Sequence, residues 1–143
     1  MTTKVDIINS PDLSTACQLP VFLERVPAGF PSPAGDYMEG KLDLNQHLVK
    51  HPAATFFVRV TGDSMIEKGI HSGDLLIVDK SLDPQDGSIV IVVLDGEHTV
   101  KQLEKRKGKL RLLPANKNYE PLEVSEPQSL EIWGVVTNVI HPL

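Results

Sequence analysis

The sequence predicts a mostly β fold, a compact multi-stranded barrel or sandwich preceded by an extended N-terminal arm and one short helix. Three observations carry that reading. From Thr55 onward, short β-branched and apolar runs alternate with Gly, Asp and Pro turn signals. Within "SIVIVVL-DG-EHTVKQL", Asp95-Gly96 separates two strand-like runs, the strongest short-range hairpin signal. Five of the 11 prolines (Pro11, Pro20, Pro27, Pro31 and Pro33) crowd the start of the chain, where they resist helix and bar a central strand.

In chain order, residues 1–39 read as the arm, with "AGFPSPAGD" its most irregular part, and residues 40–143 as the β-rich domain. A short helix is expected in "DLNQHLVKH": Asp43 is a good N-cap, Leu44 and Leu48 share a face, and Pro52 stands beyond the end. Strands are expected at "TFFVRVT" (55–61), "DLLIVD" (74–79), "SIVIVVL" (88–94), "EHTVKQLEK" (97–105), "KLRLLPA" (109–115) and "SLEIWGVVTNVI" (129–140).

Composition narrows the function. The 143 residues suit one ordinary domain, and 14 basic against 19 acidic side chains give a net charge of −5. Nucleic-acid affinity comes largely from neutralising phosphates, so no direct sequence-specific DNA binding is expected. The basic run "KQLEKRKGKLR" (101–111) reads as a solvated hairpin turn. "MTTKVDIINSPDL" has no apolar signal region and no run approaches the ~18 apolar residues of a membrane span, so a cytoplasmic protein is expected. The single Cys17 agrees with a reducing compartment and, set in the proline-rich arm without a nearby base, makes a poor nucleophile.

His47 and His51 stand four apart, but Pro52 puts His51 at the helix end, no Glu beside them completes a metalloprotease pattern, and one Cys gives no thiolate site. No metal or other cofactor is expected. Ser64 follows the strand 55–61 and the turn pair Gly62-Asp63, where a hydroxyl either caps a turn or serves as a nucleophile on a rigid tip. A hairpin with Asp95-Gly96 as its loop pairs Leu94 with Glu97, Val93 with His98, Val92 with Thr99, Ile91 with Val100 and Val90 with Lys101. Lys101 then stands in an apolar sheet. There it either snorkels to water or is a desolvated amine of lowered pKa, competent as a general base.

"GDSM" (62–65) and "TVKQL" (99–103) together resemble the Ser/Lys self-cleaving peptidases of the LexA type. "AGFPSPA" (28–34), "DLNQHL" (43–48), "HPAATFFVRVTGDSM" (51–65), "GDLLIVD" (73–79) and "IWGVV" (132–136) narrow the likeness to the UmuD/MucA branch, the SOS mutagenesis proteins. The resemblance implies a LexA-type peptidase domain that cuts its own arm at Ala28–Gly29, with Ser64 as nucleophile and Lys101 as base. Ala34–Gly35 is a decoy that does not match the family position. It further implies a homodimer, stimulation by RecA filaments on single-stranded DNA, and a shortened form serving a UmuC-like Y-family polymerase in translesion synthesis. The histidines then become surface residues. A LexA-type repressor needs a DNA-binding domain that residues 1–28, broken by three prolines, do not provide, and a signal peptidase needs a membrane anchor. The competing reading is a non-catalytic β-rich binding module, an accessory subunit alone.

Overall fold

The computed structural model describes residues 4–9, 18–22, 38–125 and 130–143. They fall into two units, one of residues 1–11 with 51–143 and one of residues 12–50. The smaller unit contains a two-stranded antiparallel ribbon, β2 (Gln18–Phe22) with β3 (Met38–Asp43). Both strands of such a ribbon are edges, which is why Pro20 is tolerated in β2. The helix α1 (Leu44–Leu48) follows directly, and the Asp43 carboxylate accepts the Asn45 N–H at 3.0 Å, the N-cap expected of it.

The larger unit is one antiparallel sheet. Its strands are β1 (Lys4–Asn9), β4 (Thr55–Thr61), β5 (Leu75–Asp79), β6 (Ile89–Leu94), β7 (Glu97–Arg106), β8 (Lys109–Leu113), β9 (Leu122–Val124) and β10 (Glu131–Ile140). They run in the order β1-β4-β5-β10-β6-β7-β8-β9, and a further pairing of Lys4 in β1 with Thr99 in β7 joins the two sides. Six strands thus close into a barrel, with β8 and β9 continuing from β7. Closure gives β1 a partner on its second side and covers β7 at Thr99, beyond the stretch that β8 pairs.

The six strands expected after Thr55 are all present, with ends within two residues of those predicted. The β6–β7 hairpin has the predicted register, Val90 facing Lys101 included. Asp95 and Gly96 both have positive φ, 49° and 77°, the backbone that a two-residue turn requires to match strand twist. The basic run forms the β7–β8 hairpin around a second turn of this kind at Lys107-Gly108. Residues 105–109 are exposed as expected, but Lys101 and Leu103 at its start are buried. Strands β1, β2, β3 and β9 were not foreseen.

Alternation along the strands builds two apolar clusters. Phe56, Val58, Val60, Met65, Leu76, Val78, Ile91 and Val100 form one, and Val90, Val92, Leu103 and Leu112 the other. Strand β10 crosses between β5 and β6 with two register shifts, the first between Ile132 and Gly134. A Cβ on Gly134 would lie 2.7 Å from the Val78 side chain and 3.2 Å from the Asp79 carbonyl oxygen, so only glycine lets the backbones come this close.

Candidate active site

Ser64 is wholly buried, in the turn that leaves β4. The chain passes Gly62 in a left-handed conformation (φ 99°) and then enters a single 3-10 turn at Ile66–Lys68. This loop is clamped from the segment after β8. The Ala115 N–H donates to the Ser64 carbonyl at 2.7 Å, and the Glu67 N–H donates to the Ala115 carbonyl at 2.7 Å. The Asn116 side-chain amide donates to the Asp63 carbonyl at 2.9 Å, and the Tyr119 hydroxyl to the Asp63 carboxylate at 2.7 Å. The Glu67 carboxylate in turn accepts the Lys117 N–H at 3.1 Å. Met65, fully buried in the apolar cluster beneath, anchors the turn from below.

Lys101 lies in the middle of β7 with only 7% of its surface exposed. Opposite it stands Val90, and Leu103 follows on the same face, both fully buried. None of the ion pairs among the described residues includes Lys101. Desolvation lowers its pKa below the ordinary lysine range, because the ammonium loses water without gaining a carboxylate. Of the two fates open to this lysine, the chain takes burial rather than snorkelling.

Two connections place Ser64 and Lys101 in one neighbourhood of the barrel. Lys4 of β1 pairs on one side with Thr61, the last residue of β4, and on the other with Thr99 of β7. Ser64 follows Thr61 by three residues, and Lys101 follows Thr99 by two. On the other flank, Gln102 pairs with Leu113 of β8, and two residues later Ala115 bonds to Ser64. The barrel seam and the β8 loop thus converge on the serine from the lysine's strand. Ala28–Gly29, the decoy Ala34–Gly35 and Cys17 lie outside the described residues.

Sequence reasoning missed the clamp. Asn116 and Tyr119 read as ordinary turn residues in "ANKNYE", and nothing in their spacing points back over fifty residues to Asp63.

None of the five histidines is buried, as expected of surface residues, but four of them also hold contacts. His51 pairs with the buried Asp79 carboxylate through Nδ1 at 2.5 Å. His98 packs edge-on against Trp133 at 4.0 Å between centroids. His71 and His141 stack at 4.3 Å beside the buried Asp74. His47 alone, on α1, is exposed without a named partner.

Among the described residues no helix is long and apolar enough to cross a membrane.

The chain matches the Peptidase S24-like family over residues 20–137. It is 57% identical to protein SamA of Salmonella typhimurium, over 85% of this chain and 84% of that protein. Identity with protein MucA of Escherichia coli is 45%, over 98% and 97% of the two chains. Identity with protein ImpA of Escherichia coli is 49%, over 85% and 83%.

Proposed function

Because the chain belongs to the Peptidase S24-like family, we propose that it is a serine endopeptidase that cuts its own N-terminal arm between Ala28 and Gly29. Ser64 Oγ attacks the Ala28 carbonyl while the neutral Lys101 amine takes the hydroxyl proton. The tetrahedral intermediate collapses as the lysine ammonium returns that proton to the leaving Gly29 nitrogen. Water then hydrolyses the Ser64–Ala28 ester by the same route. Backbone N–H groups between Asp63 and Met65 are the candidates to hold the oxyanion, since the Asn116 and Tyr119 clamp fixes that turn before any substrate arrives.

The observation that carries the reading is the state of Lys101: buried, facing valine, without an ion pair among the described residues, its pKa lowered. An ammonium kept from water and from carboxylates costs stability, and chemistry that needs a neutral amine explains why it is kept. Ser64 has no exposed surface either, which favours a substrate segment belonging to the molecule over peptides arriving from solution.

The similarity to MucA and ImpA, with the motifs shared with the UmuD/MucA branch, supports the cellular reading. The protein acts in SOS mutagenesis in the cytoplasm, as a homodimer. RecA-type filaments on single-stranded DNA stimulate the cut, and the shortened form serves a UmuC-like Y-family polymerase in translesion synthesis. A binding module without activity is the competing reading, and partner-free cleavage separates the two. Purified protein incubated alone should yield fragments 1–28 and 29–143 by mass spectrometry, and Ser64→Ala should yield neither. An intact wild-type chain under all conditions, activator included, leaves only the binding module. A dominant cut after Ala34 moves the site.

A further inference from the structure

Away from Ser64 and Lys101, the turn between β4 and β5 and the end of β10 bring together His71, Asp74 and His141. One ligand atom from each lies within 4.8 Å of the others. Asp74 is 1% exposed, and its two oxygens are divided between the rings. The His141 Nδ1 lies 2.6 Å from one oxygen, and the His71 Nδ1 3.7 Å from the other, which instead accepts the His71 backbone N–H at 2.7 Å. The His71 Nδ1 is itself buried and has no hydrogen-bond partner. The rings stack nearly parallel, 26° apart.

We propose that His71, Asp74 and His141 form a binding site for one divalent d-block cation of the zinc type, with an open fourth position for water.

The donor set selects the ion. Two imidazoles and one carboxylate suit zinc and its neighbours, whereas calcium and magnesium require oxygen ligands. Zinc holds nitrogen at about 2.0–2.1 Å, so two ligands in a tetrahedral shell stand about 3.3 Å apart. His71 Nδ1 lies 3.7 Å from one Asp74 oxygen and His141 Nδ1 2.6 Å from the other. To reach that figure the carboxylate must turn one oxygen toward both rings, the His141 contact must open by under an ångström, and the stacked rings must rotate toward a common point. A proton shared by His141 and Asp74 explains their close contact. It leaves the buried His71 nitrogen without a partner, whereas a cation gives both rings and the carboxylate a common one. Arg59, whose guanidinium donates to the Gly73 carbonyl at 2.8 Å, is an exposed neighbour on the solvent side.

The site links two distant parts of the chain. Val60 and Asp74 are joined by the Val60 N–H to Asp74 carbonyl bond, and Gly73 donates back to Val60, so Asp74 closes the loop that carries Ser64. His141 comes from just past β10. A bound ion therefore staples the loop 62–74 to the end of the last strand.

The test is calorimetric titration of Zn²⁺ into the chelator-stripped full chain, read beside thermal unfolding with and without the ion. Wild type should bind one ion more than His71→Ala/His141→Ala, which reports background sites such as Cys17 and the other histidines. His141→Phe keeps a stacked ring but removes the nitrogen. It should fold like wild type and bind roughly 10- to 100-fold more weakly, at least the loss that second-shell partners of a metal cause. Zn²⁺ should raise the melting temperature of wild type and not of the double variant, and Co²⁺ should give the strong visible absorption of a four-coordinate site. Equal stoichiometry and affinity in wild type and His141→Phe would overturn the proposal, as would equal stabilisation by Mg²⁺.

Discussion

Asp79 and Lys101 are both buried ionisable residues of one barrel, three strands apart on β5 and β7, and they are treated in opposite ways. Asp79 ends β5 and is surrounded by donors: the Ser81 hydroxyl at 2.5 Å, the Ser81 N–H at 2.8 Å and the His51 ring. Burial alone would raise its pKa, but those hydrogen bonds outweigh it and hold the carboxyl below its ordinary value. Lys101 receives burial and, among the described residues, no carboxylate, so its charged form is disfavoured. The carboxylate is built to stay charged and contributes to the fold. The lysine is built to lose its charge and costs the fold stability. A buried group whose environment opposes its own charge is a candidate for chemistry rather than architecture.

The sharpest way to break this contrast is activity. Lys101→Arg keeps a cation that stays protonated at any workable pH, and should abolish self-cleavage as fully as Ser64→Ala, on the order of 10⁴-fold or more. Asp79→Asn should cut at close to the wild-type rate. Cleavage by the arginine variant near the wild-type rate sinks the assignment of Lys101.

A second test follows pH. Unassisted cleavage should rise about tenfold per pH unit below the Lys101 pKa and level off above it, because only the neutral amine accepts the Ser64 proton. That plateau should begin below the ~10.4 of free lysine. A profile flat from pH 7 to 10, or one peaking near 6 as histidine catalysis would, excludes the lysine base.

Stability measurements should separate the two residues by sign. Asp79→Ala leaves the Ser81 and His51 donors facing an apolar gap and should cost about 1–3 kcal/mol in denaturant unfolding. Lys101→Met removes the charge and keeps the volume, so it should be neutral or stabilising by roughly 1–3 kcal/mol at pH 7. Comparable losses in both variants would mean that Lys101 is a structural ion after all.

The smallest effect is the pH dependence of stability. The Asp79 contribution is present above its unfolded pKa of about 3.9 and is lost as pH falls through the lower folded value. The gap between wild type and Asp79→Asn should therefore hold from pH 5 to 8 and close below about 4. Lys101 works the other way: its penalty is full below its folded pKa and fades as pH climbs toward the unfolded one. A gap unchanged down to pH 2 would show that the Asp79 charge contributes nothing.

What was legible in the chain was what neighbours in sequence decide. Asp95-Gly96 fixes the loop length of the β6–β7 hairpin, and that alone sets Val90 against Lys101 and predicts the desolvation. Asp43 and Pro52 bracket α1 in the same local way. Strand β1 was illegible because its partner β4 begins 46 residues after it ends, and "KVDIIN" is followed at once by Ser-Pro. The three-residue β9 is too short to show a period. Asn116 and Tyr119 reach Asp63 across 53 and 56 positions, and His141 reaches Asp74 across 67, distances over which no spacing rule operates.

The pairing of Lys4 with both Thr61 and Thr99 has a consequence for what a cut after Ala28 would leave behind. The severed peptide would carry β1, a stave of the barrel, and β2, the partner of β3, and would remain held without a covalent link, like the short half of a split protein. Its departure would depend on dilution rather than on bond breaking, so the cut and the change of shape would be two events with separate clocks. Once it left, β4 would show a raw margin of unpaired N–H and C=O groups along residues 57–61, and β7 a gap at Thr99, since β8 still pairs with residues 102–106. Such a margin accepts any strand offered in register, whether from a second copy or from another protein. A chain of this design would advertise its processed state by a gap where a strand used to be.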